Sequence, residues 1–139
     1  MDVIVLIGRI LFVYVFLTSG YSHFAQRKMM APYAASKGVP AAMPATLAGG
    51  VLLVAGGLSV LLGIWPDLGS LLLFAFLAPT AVLMHSFWKE TDAQAKLTEM
   101  VHFGKDLGLA GACLMLFAFF SFAGDDLGLT ITGPLFHLK

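Results

Sequence analysis

Four runs of apolar residues, spaced by short polar joints, account for most of the 139 positions of this chain. They extend roughly from Val3 to Phe24, Ala41 to Ile64, Leu68 to Trp88 and Phe103 to Ala123. Each approaches the ~20 residues that a helix needs to cross a hydrocarbon core of about 30 Å. Lipid offers no hydrogen bonds to a backbone, so a segment of this kind must satisfy its own, which a helix does. The pattern therefore predicts an all-α protein, an integral membrane bundle of four transmembrane helices in one domain, with a short polar tail over 124–139. The joint Trp65-Pro66-Asp67-Leu68-Gly69 is tight enough to force the chain straight back, so the second and third spans form an antiparallel hairpin and the whole runs up and down. Connections 25–40 and 89–102 are longer and polar; the second reads as a loop or a surface helix. The first span lacks a basic leader and is followed by three more spans, so it reads as a retained helix rather than a signal peptide.

Within the spans the small residues are ordered. Gly49, Gly56 and Gly63 recur every seven residues, with Gly50 and Gly57 beside them, which carves a groove along the second span where another helix can approach closely. Gly104, Gly108 and Gly111 repeat the device in the fourth span, for a neighbouring helix, another chain or a flat cofactor. Pro79 removes one intrahelical bond in the third span and predicts a kink. On the first span, Arg9, Phe16, Gly20 and His23 fall on one stripe at helical spacing, which faces inward.

Composition sharpens the class. Hydrophobic residues make up 59% and charged ones 12%, against roughly 25% charged in soluble domains. With a formal net charge of zero there is no electrostatic case for nucleic acid. The single cysteine, Cys113, excludes both an intramolecular disulfide and a two-thiol exchange couple. Arg27, Lys28, Lys37, Lys89, Lys96 and Lys105 lie on the side of the two long connections, against Arg9 and Lys139 on the other. The positive-inside rule then puts 25–40 and 89–102 in the cytoplasm and both termini outside.

Ionisable residues at membrane depth are costly and mark function more often than other positions. Here they are Arg9, His23, His85, Lys105 and Asp106, with His102 just before the fourth span. All but Arg9 lie near the predicted cytoplasmic edge, where they could converge on one polar pocket. Arg9 has two readings: snorkelling to the outer interface, or an inward guanidinium that holds an anionic group. Asp106, taken as part of a first helical turn, reads either as an acid favoured by the helix dipole or as a site residue. The histidines lack the spacing of a metal site, such as H-x-x-x-H or H-E-x-x-H, and none is assigned. One imidazole donating to a quinone carbonyl needs fewer converging groups.

The motifs, in order, resemble those of the DoxX family. Gly8-Arg9-Ile10-Leu11 leading to Thr18-Ser19-Gly20-Tyr21-Ser22-His23-Phe24 is similar to the family's opening, Lys37-Gly38-Val39-Pro40 to its Gly-apolar-Pro, and Leu47 to Gly63 to its Gly-Gly-centred second helix. His85-Ser86-Phe87-Trp88 resembles its His-x-Phe-Trp, and Phe103-Gly104-Lys105-Asp106-Leu107 its Lys-Asn-Leu. There are departures: Leu52-Leu53-Val54-Ala55 carry no acid before Gly56-Gly57, Asp106 replaces the usual Asn, and His23 a common Lys. The resemblance implies a four-helix inner-membrane protein similar to the DoxD component of thiosulfate:quinone oxidoreductase. It points to an accessory subunit of an electron-transfer, quinone-linked or photosynthetic-type membrane complex, which positions a partner, lipid or quinone and carries no electrons itself. A purely structural subunit and a small-molecule or lipid transporter are the competing classes; the latter usually needs internal repeats or broken helices around a mid-membrane polar site.

Overall fold

The computed structural model describes residues 1–138. Lys139, counted above in the charge argument, lies outside them. Five α-helices form among the described residues: α1 (Asp2–Ala25), α2 (Arg27–Ser36), α3 (Ala42–Leu62), α4 (Pro66–Met84) and α5 (Ala93–Ala123). Segments built on α1, α3, α4 and α5 are long and apolar enough to cross a membrane, and no strand occurs among the described residues. Their outward surfaces carry Ile4, Leu11, Tyr14, Val51, Val82, Leu107, Met115 and Phe122, all exposed, as a lipid-facing surface requires.

The helices pack in an open series, α1 on α3, α3 on α4 and α4 on α5, while α1 and α5 do not pack closely on one another. The two glycine registers of α3 serve different neighbours. A Cβ at Gly56 would lie 2.9 Å from the carbonyl oxygen of Gly69, and one at Gly49 3.0 Å from the Phe76 ring, so this register faces α4. At Gly57 it would lie 2.7 Å from Leu17 and at Gly50 2.8 Å from Phe24, so that register faces α1. Between them lies a core of Val13, Phe16, Leu53, Val60, Leu73, Leu77, Ala110, Cys113 and Phe120. Gly63, expected to continue the groove, instead ends α3 at φ 65°, and a side chain there would strike Thr130.

Three stretches hold more structure than the pattern predicts. The connection 25–40 contains α2, which bends away from α1 at Gln26 and buries Ala31 and Ala34 against α3 despite Pro32 within it. The fourth span begins ten residues early: the Asp92 carboxylate accepts the Ala95 N–H at 2.8 Å and caps a 31-residue α5. At 1.5 Å per residue that helix is about 46 Å long, so its charged first turns extend past the hydrocarbon. The polar tail is docked on the bundle. It folds over the end of the bundle that carries the 65–69 turn, hereafter the tail end, where Ile131 and Thr132 donate to the carbonyls of Leu62 and Gly63, and Leu138 to Ser121. The Pro79 position lies inside an uninterrupted α4.

Candidate functional site

At the opposite end, three segments far apart in sequence bring their polar groups together. α2 closes with Gly38 at φ 88°, which lets Val39 N–H reach the carbonyl of Ala34 and Gly38 N–H that of Ala35. This pair of hydrogen bonds to the last turn needs a left-handed residue, so glycine fixes where Lys37 sits. α4 ends at His85, followed by a tight turn over Phe87–Lys89. Glu99, His102 and Asp106 lie three and four residues apart on one face of α5.

The resulting network is specific in its geometry. Lys37 Nζ donates to Glu90 Oε1 at 3.2 Å and to Glu99 Oε1 at 3.3 Å, and stands 5.7 Å above the Tyr33 ring. The other oxygen of Glu99 takes the His85 imidazole, Nδ1 to Oε2 at 2.7 Å. A carboxylate only accepts, so Nδ1 carries the proton. His85 Nε2 faces Asp106 Oδ2 at 3.6 Å, beyond hydrogen-bond length. The exposed ring of His102 stacks on His85 at 5.2 Å, and beside them Phe87, Trp88 and Phe103 pack edge to face. Burial alone disfavours the Lys37 ammonium, but its bonds to Glu90 and Glu99 outweigh that and raise its pKa above the ordinary lysine value.

This arrangement gathers some of the sequence-predicted residues and separates others. His85 and Asp106 meet, with His102. His23 does not join them: its Nδ1 donates to the Ser19 carbonyl at 2.8 Å and its ring stands edge-on to Phe76 over Gly49 and Gly50. Lys105 is exposed and makes no ion pair among the described residues, because it lies off the 99–106 face. Asp106 is about three and a half turns into α5, not in its first turn, so the helix dipole does not account for it. Gly104, Gly108 and Gly111 are exposed, and a Cβ at any of them would meet nothing within 4 Å; they pack no helix of this chain. Glu90 and Glu99 are marked in the sequence only by the charged connection that carries them, and Lys37 only by the charge count and the Gly-apolar-Pro motif. No group of three or more His, Cys, Asp or Glu among the described residues has metal-holding geometry.

The tail end holds the two buried charged residues among those described, Arg9 and Asp67. Arg9 is inward rather than snorkelling: it is 3% exposed, and its Nη2 donates to the carbonyls of Leu61 at 2.9 Å and Leu129 at 2.7 Å. Asp67, fully buried, accepts the backbone N–H groups of Leu68, Leu135 and Phe136 at 2.6–3.0 Å. In the sequence it reads as a turn residue only.

Comparison with known proteins fits this architecture. The DoxX family model matches residues 4–86. Over 114 residues, 82% of this chain and 81% of the relative, the chain is 31% identical to the inner membrane protein YphA of Escherichia coli strain K12. No solved structure matches.

Proposed function

The chain belongs to the DoxX family, and from that premise we propose that it is an inner-membrane accessory subunit of a larger, quinone-linked redox assembly, which it serves by positioning a partner or quinone. The observation that carries this reading is the network of Lys37, Glu90, His85, Glu99 and Asp106, drawn from α2, the end of α4 and the start of α5. Ionisable groups gathered from three segments at one rim of a membrane bundle offer a polar surface on which a partner or a head group can dock. The exposed His102 ring, stacked on His85, offers an N–H donor for a quinone carbonyl or a partner's acceptor, and the Phe87, Trp88 and Phe103 rings offer an apolar edge beside it. The chain positions rather than conducts, because its one thiol, Cys113, is buried and has no second thiol to pair with. The distribution of Lys and Arg supports a cytoplasmic location for this rim.

The test is extraction of native membranes in mild detergent by a tag at Met1, which is exposed. Co-purifying proteins and extracted quinones are then identified. A stoichiometric redox complex or a retained quinone is expected, reduced several-fold by His85→Ala combined with Asp106→Asn. Retention of partner and quinone by that double variant at the unsubstituted level overturns the reading.

A further inference from the structure

Because α1 and α5 do not pack closely, a cleft of about 400 Å³ opens between them toward the tail end. Val5, Gly8 and Phe12 of α1, Val60 of α3, and Met115 and Phe119 of α5 line it, with Arg9. Apart from Arg9 the lining is apolar. Gly8 leaves its wall bare, since a Cβ there would meet nothing within 4 Å.

Arg9 is the anomaly of this cleft. Its two carbonyl bonds use Nη2 alone, while Nε and Nη1 are buried with no hydrogen-bond partner. Guanidinium has five N–H donors, so three remain unmatched. No carboxylate lies within ion-pair distance of it among the described residues. A buried cation without a counter-charge is expensive, and at membrane depth such charges pair. Backbone carbonyls account for part of its hydrogen bonding and none of its charge.

We propose that this cleft binds a long-chain fatty acid, its chain along the apolar walls and its carboxylate on Nε and Nη1 of Arg9. The site lies at the other end of the bundle from the histidine network and does not depend on the function assigned to that network. Three observations select the ligand. The missing element is a negative charge, which a neutral ester or ketone does not supply. The volume sits at the low end of the roughly 300–1,000 Å³ of small-molecule sites, room for one chain rather than two. Arg9 lies seven residues into α1, about 10 Å from the start of the helix. A small carboxylate reaches that depth more easily than a phospholipid head anchored at the interface. Met115, largely exposed and unbranched, is the wall side chain able to swing aside for entry.

The experiment measures binding of radiolabelled palmitate to the purified full chain in nanodiscs of neutral phospholipid, with methyl palmitate and phosphatidylglycerol as competitors. Saturable palmitate binding is expected, with methyl palmitate at least about tenfold weaker because the buried charge pair is lost. Arg9→Gln should abolish binding but also loosens α3 and the tail, so Gly8→Leu is the cleaner variant: it fills open space, keeps the melting temperature, and should weaken palmitate at least about tenfold. Absence of saturable binding overturns the proposal, as does Gly8→Leu binding like the unsubstituted chain. Equal competition by methyl palmitate removes the role of charge, and displacement by phosphatidylglycerol as effective as by palmitate makes the ligand a membrane phospholipid; either overturns it.

Discussion

At Lys37 two carboxylates and an aromatic ring meet one ammonium, and the balance of effects has a measurable sign. Because its pKa is raised on folding, the ammonium contributes stability that is complete below lysine's unfolded value, ordinarily 10.5, and is lost as pH rises through the higher folded value. Thermal melts of the purified protein should therefore show no Lys37-linked change from neutrality up to the unfolded value of 10.5 and a decline from there toward the higher folded value. In Lys37→Met that alkaline decline should be smaller; an identical decline in the variant would show that Lys37 is not its source. Single residues were unevenly legible in the sequence. Arg9, Phe16 and Gly20 fall on a helical stripe that the structure buries, because periodicity reports which face turns inward. What Arg9 binds was not legible: its partners are backbone carbonyls, which every residue has, and one of them lies 120 residues away. The same holds for Asp67, whose carboxylate accepts from backbone N–H groups of a tail that carries no recognisable pattern.

Among the elements, the glycine repeats illustrate how one sequence feature can have two structural outcomes. In α3 they admit α4 and α1; in α5 they leave a bare surface. Gly56→Ala would press a methyl group against the Gly69 carbonyl and should cost roughly 1–3 kcal/mol. Gly108→Ala meets open space and should be neutral or stabilising by up to about 1 kcal/mol. Melting of the two variants in detergent checks the contrast; equal destabilisation would contradict the assignment of faces. The four spans were legible because hydropathy at this length has few other causes. The start of α5 was not, because charge over 89–99 signals exit from lipid and says nothing about whether the helix continues into water. Asp92, a favoured capping residue, was the available sign of where it begins. α2 escaped notice because Pro32 and Gly38 read as breakers, although Gly38 in fact completes the helix end.

For the molecule as a whole, the open series of helices leaves the tail to close one end. Asp67→Ala would orphan the N–H groups of Leu68, Leu135 and Phe136 and is expected to cost on the order of 3 kcal/mol. Limited proteolysis should then cut within residues 127–138, which the unsubstituted protein protects; equal protection in both would mean that the tail is held by other contacts. The four-helix architecture and the family were legible throughout the chain, whereas the candidate site was legible only at His85, Asp106 and neighbouring His102, since convergence of segments is a property of packing and not of any local pattern. The bond between Arg9 and Leu129 also orders events in time. A ribosome delivers Arg9 to the membrane 120 residues before it makes Leu129, so for most of synthesis that guanidinium lacks one of its partners. The first span thus enters the bilayer incomplete, and the bundle acquires its final form only once the tail has emerged to meet it.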